Sequence, residues 1–267
     1  MPRPKNEPYR WPKIVVFGVF LTLLTSTQNP VIKEIRRAIA QGGLTRDGFC
    51  VTEGPRLLEE AVRSRCEIGF VLSAGGAATP PGVHVTGITE SLLRDISATE
   101  TPQGILALVR PPSWTIDQVA AGQSLIVVLD GIQEPGNAGA ILRAAEAFSA
   151  TGAVFIKGTV NPYNPKCVRA SAGSIFRLPL VHGVENLDSL GPLALYAAQP
   201  DGATVLNEAN LRSPCGIIIG SEGRGVRPEI ARRAAALRIP TAGVESLNAA
   251  VAAGILLYEA RRQRERA

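Results

Sequence analysis

A chain of 267 residues with 45% hydrophobic content is long enough for one large or two modest domains around a real core, and it is globular. A formal charge of +5 and a pI near 9.3 favour polyanionic partners. With aromatics at 5%, base stacking is disfavoured as the main mode of recognition, which leaves Arg and Lys contacts to a nucleic-acid backbone. Cys50, Cys66, Cys167 and Cys215 form no CxxC pair and only His84 and His182 accompany them. No zinc or other metal site is expected, and the thiols read as reduced ones in a cytoplasmic protein.

At the start of the chain, Arg3, Lys5, Arg10 and Lys13 precede the apolar run IVVFGVFLTLL, which imitates the basic and hydrophobic regions of a signal peptide. The run is too short to span a bilayer, and no small-x-small cleavage site follows it. Residues 1–24 are expected to be a disordered extension, or to stem from a start codon upstream of the true one. From residue 25 to 111 the pattern alternates. VIKEIRRAIA has helical spacing with basic residues outward, GFCVTEG reads as a strand, and PRLLEEAVRS opens with proline at a helix start. EIGFVLS and VHVTG then read as strands, TESLLRDIS as a helix and GILALVR as a strand, giving a compact α/β domain. Arg36, Arg37 and Arg46 are candidates for phosphate contacts, set against a merely solvated charged face. For Arg46 the two readings stand level, because its loop follows Gly42 and Gly43 and is free to reach out.

Residues 112–123, within the proline-led stretch PPSWTIDQVAAGQ, form the natural linker. The second domain, 124–267, begins with SLIVVLDGI, a continuous apolar run of the kind buried in a parallel sheet. A loop QEPGNAG and helix AILRAAEAFSATG follow, then strand AVFIKG, loop and helix NPKCVRASAGSIF, a short strand PLV, a helix near ENLDSL and strand LALYAAQ. Two further apolar runs, CGIIIG and LRIP, break abruptly into SEGRGV and TAGVESLN, and a capping residue where the second loop ends in Ser246, Leu247 and Asn248 opens a long apolar helix. This alternation argues for a parallel sheet between helices, with a binding site at the carboxyl ends of its strands.

Known glycine loops do not explain these segments. Gly220 to Gly225 has the internal spacing of a Walker loop, but Val226 and Arg227 stand where Lys and Ser/Thr are needed. Pro228 occupies the last glycine position of a dinucleotide fingerprint, and a nucleophile elbow at Ser221 would require glycine at Ile219. Glu222 and Arg224 stand among the glycines with no apolar neighbours to pack against. Upstream, Asn137 is placed as the cap of a helix start, with Arg143 six residues on in the pattern Asn-x-Gly-x-x-x-Arg. That pattern, then GSEGRG at 220–225 and IPTAGVESLN at 239–248, resembles in order the three signature motifs of the SpoU (TrmH-type) RNA ribose 2′-O-methyltransferases of the SPOUT superfamily.

The resemblance covers nearly all of the chain after residue 24. It implies a carboxyl-terminal trefoil-knot methyltransferase domain, S-adenosylmethionine bound in a bent form by the knot loops, and a homodimer that completes each active site. STQNP, TRDGFCVTEG and SATETPQGILALV in turn resemble the small ribosomal-protein-like RNA-binding domain that precedes the catalytic one in many members. The implied substrate is structured RNA, more readily rRNA than tRNA, because a dedicated recognition domain is present. A catalytically inactive assembly factor is the alternative, opposed by the intact Arg143, Glu222 and Asn248. In the family the arginine equivalent to Arg143 is regarded as a base, yet a guanidinium stays protonated in proteins, so electrostatic work on phosphate and alkoxide is the better assignment. Asn137 would orient Arg143 or the ribose, and Glu222 would organise the first motif across the loops. Ser246 and Asn248 would fix the third loop and contact RNA or cofactor. Backbone at Gly220, Ile239 and Leu247, with Ala198 nearby, would hold the cofactor, and Lys157, Lys166, Arg169 and Arg177 would hold RNA phosphates. Ala249, Ala250, Ala252, Ala253 and Gly254 would let the last helix approach a partner copy, although Ala249 and Ala250 stand where members often carry Val and Ser.

Overall fold

In the computed structural model, which describes residues 23–265, the chain divides between Pro111 and Pro112 into two compact units. Most of the amino-terminal apolar run, up to residue 22, lies outside the described residues. Its last two residues form β1 (Leu23–Leu24), so the first unit begins earlier than residue 25. Then follow α1 (Pro30–Gln41), β2 (Cys50–Glu53), α2 (Pro55–Arg63), β3 (Glu67–Ser73), β4 (Thr86–Ile88), α3 (Glu90–Ile96) and β5 (Ile105–Arg110). The sheet order is β1-β4-β3-β5-β2, with β3–β5 and β5–β2 antiparallel. Local chemistry sets the helix ends: Asn29 Oδ1 accepts the Val31 amide at 2.9 Å with Pro30 in the first helical position, and Gly42 closes α1 in the left-handed region. Ile32 and Ile35 on the inner face of α1 pack with Phe49, Leu72, Leu106 and Leu108, which alternate onto one side of the sheet. The strand expected over VHVTG starts three residues later, because β3 offers it only Leu72 and Ser73 as partners.

The second unit contains α4 (Ile116–Val119), β6 (Leu125–Asp130), α5 (Pro135–Ala147), β7 (Gly152–Ile156), α6 (Pro165–Ala170), β8 (Leu180–Val184), β9 (Ala194–Ala198), β10 (Thr204–Val205), β11 (Cys215–Gly220), α7 (Pro228–Ala231), β12 (Ala235–Arg238) and α8 (Ala249–Glu265). Residues 112–123, expected as a linker, carry α4, which is opened by a Thr115–Gln118 capping box and buries Val119 completely. The stretch near ENLDSL makes a single 3-10 turn, Asp188–Leu190. All pairings in the seven-stranded sheet are parallel, in the order β10-β12-β9-β11-β6-β7-β8. The fully buried runs of β6 and β11 stand side by side at its centre, as continuous apolar strands require.

Two helix details depart from the sequence reading. Asn137 does not cap α5: Pro135 fixes the first helical residue three positions before the one an Asn137 cap would give, and Glu134 is the cap, accepting the Gly136 amide at 3.3 Å. The Asn137 side chain is thereby free for other partners. In α8, Ala249 and Ala253 face inward and are buried with Leu256, Leu257 and Ala260, while the exposed apolar face is Val251, Ile255 and Tyr258. The glycine of the first motif has a packing reason: a Cβ on Gly139 would lie 2.4 Å from the Cys167 carbonyl oxygen, so α5 and α6 pack backbone to backbone.

The end of α8 is clamped by Arg264. Its Nε donates to the Leu211 carbonyl at 2.8 Å, Nη1 to Gln123 at 2.8 Å, and Nη2 to Ser124 at 3.0 Å and Ser213 at 2.8 Å. Beside it, Gln263 accepts from the Leu211 amide and donates to the Ala209 carbonyl. Arg264→Ala leaves these carbonyls without their charged donor, and is expected to cost about 3 kcal/mol in urea unfolding. Arg264→Lys, a point charge without the planar fork, should recover less than half of that loss.

Candidate active site

Three neighbouring strands, β12, β9 and β11, end side by side, and their carboxyl ends open into a cavity of about 350 Å³. Its walls combine Ala198 at the end of β9, Gly220 at the end of β11, Ile239 just past β12, and Leu247 before α8. These are the four residues assigned to the cofactor from sequence, brought to one place. Ile219 and Leu237 add apolar surface, and Ser221 to Gly225 form one flank. Ser246 lines the cavity and is exposed, as are Arg224 and Glu245. Gln199, Thr241 and Glu245 also line it without having been foreseen; only the position of Glu245 beside Ser246 could have pointed to it.

The three motifs are joined by one hydrogen-bonded chain. Asn137, in the first turn of α5, donates its Nδ2 to Glu222 Oε1 from the second loop, and its Oδ1 accepts from Asn248 Nδ2 at 3.1 Å. Asn248 Oδ1 in turn accepts the amides of Ala250 at 3.0 Å and Val251 at 3.3 Å, so the same side chain caps α8. Each amide presents its oxygen to donors and its nitrogen to an acceptor, a self-consistent arrangement that fixes both orientations. Arg143 is not part of this chain. Six residues along α5 turn it about 120° away from Asn137, and it is exposed with no hydrogen bond or ion pair among the described residues. The orienting partners of Asn137 are therefore Glu222 and Asn248, and no hydrogen bond joins it to Arg143 here.

Of the residues assigned to RNA, Arg36 is ion-paired with Asp95. The Arg46 side chain is 77% exposed, its Nε 3.9 Å from Glu34, while its backbone amide donates to Glu34 at 2.6 Å. Burial acts against ionisation of Glu34, but Arg37 and the Arg46 amide hold its carboxyl below the ordinary value. Lys157 pairs with Glu185 at 2.7 Å, and Arg177 with Glu146. Lys166 and Arg169 sit three residues apart on α6, both exposed and without an ion pair among the described residues. The four cysteines are free, and burial pushes the Cys167 thiol up to about 12, which suits packing and not nucleophilic work. Among the described residues there is no cluster of metal ligands and no helix long and apolar enough to cross a membrane.

Residues 124–258 match the model of the SpoU rRNA methylase family, and residues 29–107 match an MRM3-like substrate binding domain. An uncharacterized tRNA/rRNA methyltransferase of Synechocystis is 34% identical, over 90% of this chain and 93% of its own. The 23S rRNA (guanosine(2553)-2'-O)-methyltransferase RlmP of Bacillus subtilis is 29% identical, over 89% and 98% respectively. Among solved structures, an AdoMet-bound rRNA methyltransferase from Sinorhizobium meliloti superposes with a TM-score of 0.78 at 27% identity, covering 90% of this chain and 97% of that one. The chain belongs to the SpoU rRNA methylase family, the RNA ribose 2′-O-methyltransferases that use S-adenosylmethionine.

Proposed function

We propose that the protein methylates a ribose 2′-hydroxyl of structured rRNA, in the cytoplasm and as a homodimer. The observation that carries this reading is the Asn137–Glu222–Asn248 chain, which ties all three motifs together beside the cavity. The cavity fits S-adenosylmethionine. Ile219, Leu237, Ile239 and Leu247 supply an apolar slot for a purine, and its volume lies in the ~300–1,000 Å³ range of small-molecule sites. Ala198, Gly220, Ile239 and Leu247 would hold the adenosine portion. When bound there, the cofactor would supply an electrophilic sulfonium methyl for transfer to the ribose oxygen.

The side chains do the rest by position and charge. Glu222 and Asn248 lock Asn137, and with it the first turn of α5, against the second and third loops. Arg143, with no partner among the described residues, keeps its guanidinium for the phosphate next to the target ribose and for the charge that grows on the oxygen, while the hydroxyl proton leaves to a phosphate oxygen or water. Ser246 contacts RNA or cofactor from the cavity wall. Lys166 and Arg169, without an ion pair among the described residues, are better placed to neutralise phosphates than Arg36 or Lys157, which already have carboxylate partners. The activity of RlmP on 23S rRNA and the match of the first unit to a substrate binding domain favour rRNA over tRNA. The sheet order supports a knotted carboxyl end: the chain reaches β12 on one side of β9, yet α8 returns to pack on β11 and α5 on the other side. The apolar face of Val251, Ile255 and Tyr258 supports a dimer.

Transfer of tritium from labelled S-adenosylmethionine into RNA from a strain lacking the gene tests this reading. Label is expected in the rRNA fraction and in alkali-stable dinucleotides, as ribose methylation blocks hydrolysis. Label in tRNA alone, or in protein, would refute the proposed substrate.

A further inference from the structure

We propose that Asp130 and Arg227, which do not line the cavity, are positioning residues that set the loop carrying Glu222 and thereby the affinity for the cofactor; this rests on the assignment of the cavity to S-adenosylmethionine. Asp130 is the last residue of β6, in register with Gly220, the last of β11. Its side chain has no exposed surface, a costly place for a carboxylate unless it is fully paired. Both of its oxygens are taken by one residue: Oδ1 accepts Arg227 Nε at 2.6 Å, and Oδ2 accepts the Arg227 backbone amide at 2.8 Å. Backbone and side chain of Arg227 are thus both tied to the end of β6.

The loop between Gly220 and Arg227 is closed a second time nearer its tip. Ser221 and Gly225 exchange backbone hydrogen bonds of 3.2 and 2.8 Å, and the chain folds back so closely that a Cβ on Gly220 would lie 2.1 Å from the Gly225 carbonyl carbon. With its neck fixed by Asp130 and its waist by this bridge, the loop presents Glu222, Gly223 and Arg224 at the cavity, where Glu222 takes Asn137. A shift of Arg227 is passed toward the cavity wall through its neighbour Val226, which is buried and leads directly into Gly225.

Asp130→Asn tests this with almost no change of volume. Each carboxylate oxygen faces an N–H donor, so in either orientation the amide NH₂ group meets a donor and one bond is lost. The dissociation constant for S-adenosylmethionine, measured by calorimetry on folded protein, is expected to rise about tenfold or more, with KM for the cofactor rising in parallel and kcat at saturation held within about threefold. A purely structural pair would lower the unfolding temperature and the active fraction but leave KM unchanged, and that result overturns the proposal. Should Asp130→Asn fail to fold, Arg227→Ala and Arg227→Lys decide: cofactor affinity is expected to fall with alanine and be partly restored with lysine, and equal wild-type affinity in both sinks the idea. Wild-type protein that bound no S-adenosylmethionine would instead refute the cofactor assignment itself.

Discussion

Arg143→Ala is expected to lower methyl transfer by about 10³-fold or more while leaving the affinity for S-adenosylmethionine within about threefold. Arg143 lies on α5, does not line the cavity, and forms no ion pair or hydrogen bond among the described residues. Removing it therefore breaks nothing in the free protein, and the loss must fall on the substrate and the reacting oxygen. Single-turnover transfer to unmodified rRNA, with calorimetric titration of the cofactor, separates the two quantities. Equal loss of both would mean that the residue holds cofactor or structure. Arg143→Lys sharpens the assignment, since lysine keeps a charge, gives up a proton more readily and cannot grip a phosphate with two parallel bonds. Activity well below wild type and a pH–rate profile without a new basic limb fit the electrostatic role. Activity equal to or above wild type would make residue 143 the proton acceptor.

Much of this site could be read from the sequence because its parts are abrupt changes of pattern. Apolar runs that stop at Gly220 and Ile239 must emerge from a sheet, and the structure puts those two ends on either side of β9. A cap is expected where the loop ends in Ser246, Leu247 and Asn248, and Asn248 is the residue that supplies it. What stayed hidden depends on distance along the chain. The pairing of Arg36 with Asp95 spans 59 residues and that of Arg227 with Asp130 spans 97, and no local pattern announces either. Asp130 in particular reads as the polar end of a strand, although it is buried as deeply as the valines before it. Asn137 differs for another reason: Glu134 and Pro135 supply an alternative helix start three residues earlier, and spacing alone does not choose between them. In α8, Ala249 and Ala253 are buried in their own unit, because small residues serve contact with a sheet as well as with a partner helix.

Ala253 is fully buried against its own unit, so arginine there would disrupt the core whether or not a dimer exists. The exposed apolar residues of α8 are Val251 at 51%, Ile255 at 37% and Tyr258 at 56%, spaced i, i+4 and i+7 and so on one face. Tyr258 also meets Phe148, just past the end of α5, edge to face with ring centres 5.6 Å apart, which extends the apolar surface from the last helix to the motif-one helix. A face built from the two helices that bear Asn137, Arg143 and Asn248 would couple dimerisation to catalysis through a twofold contact. Ile255→Asp places an unpaired charge in the middle of that face without touching the buried side of α8. It is expected to give soluble, folded protein with a mass in solution of 28.2 kDa rather than twice that, and activity reduced about a hundredfold. Light scattering at micromolar concentration reads the mass directly. A wild-type protein with the mass of one chain, or an Ile255→Asp variant that remains dimeric and fully active, would remove the dimer from the mechanism and leave each site to be completed by its own chain.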